Sequence, residues 1–248
     1  MLSIIDIING ILTTILVLIC FITGIRIAYK YKQYKQRVFI FFGITWAGMS
    51  TIYIPLIISF YGMLLFEQGL PLFGYLIIDS FVPLLVTVGV MAWTEIIDFM
   101  KRYQKPLVIS FTTVSVGIVV YFVYNAFNNP LTLGILESPL IIRYRNFVLV
   151  YLVFVSSIAM FTGTIFFWQS RDALEPENRL KGLLIWFAFI SFFIGTLLDG
   201  FLPINPSTII ISRIVVIIGS AFFLFGFFPP QFVKDYVRER MNKNRERT

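Results

Sequence analysis

One arginine stands inside an otherwise hydrocarbon stretch: Arg213, in IIISRIVVII over residues 209–218. A guanidinium toward the centre of a bilayer costs about 2.5–3.5 kcal/mol on insertion scales, so it calls for an anionic partner, water or a route to the interface. Asp6, Asp79 and Asp199 each lie near the end of an apolar run. Two kinds of chemistry are open to this set. An ion pair or anion site would join Arg213 to one carboxylate or to a bound ligand. Alternatively, Asp79 and Asp199 would share a proton, as like charges at one site must.

The elements that position these residues are themselves apolar. Of 248 residues, 58% are hydrophobic and 13% charged, against about 25% charged in soluble domains. Runs of spanning length, about 17–25 residues, fall at roughly 3–29, 38–66, 75–99, 106–127, 147–169, 180–202 and 207–228, and are numbered helix 1 to helix 7. The chain is therefore predicted to be an all-α, multi-pass integral protein of the cell membrane, with one seven-transmembrane-helix domain over 1–230 and a basic amphipathic tail over 231–248. The first run lacks a positive n-region and is too long for a signal-peptide core, so helix 1 is expected to be retained.

Lysine and arginine sort the connections, because short basic loops stay cytoplasmic. Lys30, Lys32, Lys35 and Arg37 follow helix 1; Lys101, Arg102 and Lys105 follow helix 3; Arg171, Arg179 and Lys181 precede helix 6; six more basic residues lie in the tail. FEQGLPLFG and GFLPINPS hold none, and the long connection 128–146 holds Arg143 and Arg145. This pattern predicts the N-terminus outside and the C-terminus cytoplasmic. The net charge of +7 then serves anionic lipid at the cytoplasmic face, and no nucleic-acid partner is expected. On this topology the three aspartates lie near the outer ends of helices 1, 3 and 6, and Arg213 lies about six residues, roughly 9 Å, into helix 7 from the same side.

Helix 3 carries a polar stripe. Asp79, Pro83, Thr87, Val90, Thr94 and Asp98 recur at spacings of three and four, which places them on one side. Such a stripe faces the bundle interior or, alternatively, forms a packing face whose threonines bond to their own carbonyls. Pro83 should bend the helix. Glu95 and Asp98, beside Lys101 and Arg102, read as an interfacial ion-pair group. In helix 6, Ala188, Ser191, Gly195 and Asp199 share a face of mostly small residues suited to close helix packing, and Gly43 with Ala47 makes a shorter seam in helix 2. The phenylalanine-rich runs read as lipid-facing or interior filling. The hairpin DGFLPINPS makes helices 6 and 7 antiparallel neighbours, with Ser207 as the expected N-cap. Asp199 can then approach Arg213, which as a lone cation would be disfavoured near the positive end of helix 7. Asp199 is the first-choice partner, Asp79 the second and an anionic ligand the third.

Two absences exclude whole classes. With no histidine, the chain has no histidine haem or zinc ligand, no Ser-His or Cys-His pair and no histidine pH switch. The single cysteine, Cys20, excludes an intrachain disulfide and reads as a buried apolar residue. A microbial rhodopsin would need a lysine in the last helix, where this chain has Arg213. The surroundings of the two aspartates, LIIDSFVP and TLLDGFLP, lack the GxGD pattern of intramembrane aspartic proteases. TEIIDFMKRY lacks the acidic-Arg-Tyr signature of G-protein-coupled receptors, and helix 7 lacks NPxxY. The last third, RLKGLLIWFAFISFFIGTLLDG followed by ISRIVVIIGSAFFLFGFFPP, resembles archaeal seven-helix membrane proteins of unknown role, some of which precede histidine kinase domains. That resemblance covers the last two helices and implies a sensory input module.

The leading expectation is a receptor-like or sensory protein with an outward-facing polar pocket at Asp79, Asp199 and Arg213, no catalytic residues, no metal and no cofactor. The alternatives are a transporter or channel, with a polar path along helix 3 through Thr87, Thr94 and Asp98, and a structural membrane partner without a pocket. The connection 128–146 is apolar enough either to lid an outer cavity or to form a surface hairpin. Phe232, Val233, Tyr236, Val237 and Met241 give the tail an amphipathic face for the membrane surface or a cytoplasmic protein partner.

Overall fold

The computed structural model describes residues 2–173, 175–202 and 205–231, without the side chains of Asp98, Phe99 and Pro176. The tail helix expected beyond residue 231 lies outside the described residues. Among the described residues, seven helices are long and apolar enough to cross a membrane: helix 1 (Ile4–Tyr34), helix 2 (Val38–Met49 continuing as Ile54–Phe66), helix 3 (Leu72–Asp79 continuing as Val82–Ile96), helix 4 (Gln104–Asn128), helix 5 (Asn146–Arg171), helix 6 (Pro176–Phe201) and helix 7 (Pro206–Phe227). A short helix, Asp98–Lys101, joins helices 3 and 4, and strands β1 (Gly134–Ser138) and β2 (Ile141–Tyr144) form an antiparallel hairpin between helices 4 and 5. The bundle thus has a hairpin end and, opposite, a basic end.

Both helix breaks trace to proline. Pro55 cannot donate to the carbonyl of Thr51, and the chain there tightens into a 3-10 turn over Thr51–Tyr53. Pro83 likewise frees the carbonyl of Asp79. The Ser80–Phe81 turn interrupts helix 3 just before it, with Phe81 N–H bonded to the Ile78 carbonyl at 3.2 Å. Helix 3 is thus interrupted at the place where Pro83 is expected to bend it. The break in helix 2 is an addition to the sequence reading, and it turns Tyr53 into the bundle, where it is 6% exposed.

The helices pack in the order 4, 3, 2, 1, 7, 6, 5. Helix 4 and helix 5, at the two ends of this arc, touch near the hairpin end, where Tyr121 and Phe122 meet Phe147 and Tyr151. Helix 1 meets helix 2 along a glycine seam. A Cβ on Gly24 would fall on the Gly43 carbonyl and Ala47, and one on Gly43 would fall on the Gly24 carbonyl and Ala28. The Gly43 and Ala47 seam read from the sequence is therefore a helix contact. Gly24→Val is expected to lower stability in detergent by about 1–3 kcal/mol, measured as a fall in thermal midpoint, because neither backbone can give way. The small face of helix 6 meets helix 7, with Gly195 against Val216 and Gly219 against Ala188 and Ser191.

The N-terminus of helix 7 differs from expectation. Asn205, not Ser207, is the N-cap, accepting from Thr208 N–H at 2.9 Å in a reciprocal capping box, with Pro206 at the first helical position. A proline drives the residue before it into extended conformation, which an N-cap requires, and itself suits the first turn.

Candidate functional site

Arg213 is buried, 8% exposed, near the hairpin end of helix 7. Its Nη1 donates to Asp199 Oδ2 at 2.7 Å, and its Nε donates to Asn9 Oδ1 at 3.1 Å. The guanidinium carbon lies 4.8 Å from the centre of the Tyr53 ring, within cation–π range. Asp199 also accepts from Ser212 Oγ at 2.5 Å and from Tyr53 OH at 3.3 Å. Helices 1, 2, 6 and 7 thus converge on one ion pair, each contributing a polar side chain. The bonds to Asn9 and Asp199 use two of the five N–H groups of the guanidinium, and the same side chain forms part of a cavity wall.

That cavity, about 100 Å³, lies among Asn9, Tyr53, Tyr75, Tyr144, Asp199 and Arg213, with apolar walls from helices 2, 5 and 7. The β1–β2 hairpin roofs it through Leu140, Ile141, Ile142 and Tyr144. The 128–146 connection forms a hairpin, and its residues cover this cavity. At its turn Pro139 is exposed, whereas Leu140 points inward. Leu140 is 1% exposed and packs with Leu56, Phe60 and Tyr75. The Pro139 carbonyl accepts from Ser59 Oγ at 2.5 Å and from Tyr75 OH at 2.9 Å. The Glu137–Arg143 pair across the strands is exposed and adds little to hold it.

Asp79 is buried but stands apart from the arginine. Its Oδ2 accepts from Tyr144 OH at 2.5 Å, and its Oδ1 is buried without a hydrogen-bond partner. Burial first, and then the neighbouring carboxylate, push the Tyr144 phenol well above its usual range, so the hydroxyl remains a donor to Asp79. The second-choice pairing of Arg213 with Asp79 is therefore not the one adopted. The short hairpin between helices 6 and 7 keeps Asp199 close, whereas Asp79 is engaged by the roof. Asp6 is also separate: it completes a capping box with Ser3, accepting from Ser3 N–H at 3.0 Å.

The helix 3 stripe is buried at Asp79, Pro83, Thr87 and Thr94, but its hydroxyls are satisfied locally. Thr87 meets Ser115 of helix 4 at 2.9 Å, Ser115 donates to the Pro83 carbonyl at 2.8 Å, and Thr94 bonds back to the Val90 and Met91 carbonyls. This is the packing alternative for Thr87 and Thr94. Glu95 is half-buried, and the side chain of Asp98 lies outside the described residues.

Beneath the ion pair the interior becomes aromatic. Trp46 stacks on Phe223 with ring centres 3.2 Å apart and planes 1° from parallel, and Phe192 and Phe189 meet Trp46 edge-on at 5.0 and 6.1 Å. Trp46 is seven residues from Tyr53, and Phe192 seven from Asp199, so this layer lies about 10 Å deeper toward the basic end. Several participants escaped sequence reasoning. Asn9 and Ser212 were polar residues in apolar runs at the depth of Arg213, a signal that could have found them; Tyr53 required the Pro55 break; Tyr144 required the folded-in hairpin. No family model matches the chain, and no match is found to a curated protein or to a solved structure.

Proposed function

We propose that the protein is a receptor-like, sensory membrane protein whose outward-facing cavity at Arg213, Asp199 and Tyr53 takes a small polar solute. The observation that carries this reading is the convergence of four helices on the buried Arg213–Asp199 pair, in the wall of a cavity that the hairpin covers. A solute arriving from the hairpin end meets hydrogen-bonding groups; the adjoining larger cavity, which shares Ile52, Tyr53, Leu152 and Thr196 with this one, is walled mostly by apolar side chains, where a transport path would need polar steps. Because helices 1, 2, 6 and 7 all reach the ion pair, a ligand that prefers one arrangement of these four helices shifts the bundle toward it.

The test uses the full chain in proteoliposomes. Cys20 is buried, so Ile142→Cys offers one reactive thiol, and an impermeant maleimide added to the hairpin side is expected to label it. A thermal-shift screen of amino acids, sugars and small organic acids should yield a solute that raises the midpoint of the wild type but not of Ile142→Trp, which fills the cavity. That solute should not be carried into the vesicles. Net uptake would instead make the protein a transporter, and an unreactive Ile142→Cys with no stabilising solute would leave a structural partner.

A further inference from the structure

A second, larger cavity of about 170 Å³ is walled mainly by helices 2, 3, 5 and 6 and reaches the gap between helices 4 and 5, on the basic-end side of the aromatic contacts that join those two. Its walls are mostly apolar: Leu107 and Phe111 of helix 4, Val155 and Ala159 of helix 5, with Trp93 and Phe189 behind them. Helix 4 is the least buried of the seven, and its backbone packs on helix 3 rather than on helix 5. The cavity is larger than the roughly 150 Å³ that admits benzene in an engineered core, and it is elongated along the helices, from Tyr53 at one limit to Met100 at the other.

The basic end of this space carries charge. Met100 and Leu107, which line it, flank Arg102 and Lys105, both exposed. On the facing helix, Arg171 is also exposed, nine residues beyond Thr162 in the wall, or about 13 Å along the helix. Tyr103, the N-cap of helix 4, and Trp168 of helix 5 are 55% and 63% exposed, the aromatic types that settle at headgroup level.

We propose that this groove holds one hydrocarbon chain of an anionic membrane phospholipid, entering between helices 4 and 5 from the leaflet at the basic end, with its phosphate against Arg102, Lys105 and Arg171. A chain leaving the bilayer for the groove gains no hydrophobic energy, since lipid tails are equally apolar. Selection therefore comes from packing and from the basic residues at the mouth. This proposal does not depend on the outer cavity being a ligand site.

The experiment is native mass spectrometry of the full chain, extracted with mild detergent from vesicles of phosphatidylcholine doped with phosphatidylglycerol. The wild type should retain one phosphatidylglycerol per chain. Ala159→Phe, which fills the groove, should cut retention about tenfold, and Arg102→Gln with Lys105→Gln should lower the preference for phosphatidylglycerol over phosphatidylcholine by about tenfold. Should Ala159→Phe fail to fold, the charge variants, which lie at exposed positions, carry the test together with Ser156→Leu, a second groove-filling change that gives up only the Ser156–Thr196 hydrogen bond. Equal retention by wild type and a folded groove-filled variant, or phosphatidylcholine retained as well as phosphatidylglycerol, overturns it.

Discussion

Asp199→Asn should lower the stability of the purified protein by about 2–4 kcal/mol, read as a loss of thermal or denaturant midpoint in detergent. Removing one partner of a buried pair leaves the other charge uncompensated, at about 3–5 kcal/mol in a fully buried setting. Here the Asp199 side chain keeps 30% of its exposure while that of Arg213 keeps 9%, so water at the carboxylate trims the loss. Arg213→Gln should cost less, because Asp199 keeps its Ser212 and Tyr53 donors. The double variant should fall short of the sum by about 1–2 kcal/mol. Strict additivity would mean that the two side chains meet without energetic coupling.

Trp46→Ala should cost about 3–5 kcal/mol, the range for emptying a large buried aromatic site. Trp46 is 1% exposed and meets Phe189, Phe192 and Phe223, so truncation removes contacts to helices 6 and 7 together. Trp46→Phe makes an informative contrast. The indole Nε1 is buried without a hydrogen-bond partner, and a phenyl ring retains most of the stack while removing an unsatisfied N–H. Its expected cost is under about 1 kcal/mol. A cost for Trp46→Phe equal to that for Trp46→Ala would count against an unsatisfied N–H at this position. Both changes are read in the same detergent titration.

The spans were legible because long apolar runs leave a chain few alternatives, and the Arg213–Asp199 pair because a short connection forces helices 6 and 7 together. What was illegible depended on departures from the straight helix. Tyr53 enters the site because Pro55 breaks helix 2, and periodicity alone cannot give the direction of a side chain on a 3-10 turn. Tyr144 reaches Asp79 because the hairpin folds inward around Leu140, a tertiary choice with no local signature. Asn9 was a different failure: its polarity was plain, but one amide attracts less notice than a charge. The polar stripe of helix 3 was real, yet spacing could not say whether its hydroxyls would face a passage or turn back on their own carbonyls. At Thr94 they turn back.

Helix 7 is fastened to helix 1 at three depths. Arg213 bonds Asn9 near one end, Ser220 meets Cys20 at 3.4 Å midway, and Lys30 donates to the Phe227 carbonyl at 3.1 Å at the other end. Arg26 and Lys30 also lie over the Phe228 ring, 4.4 and 4.5 Å from its centre. Two rods pinned at top, middle and bottom cannot slide past one another; they tilt or twist together. A push on the guanidinium would therefore travel the length of the pair as torque and emerge at Phe228, the C-cap of helix 7.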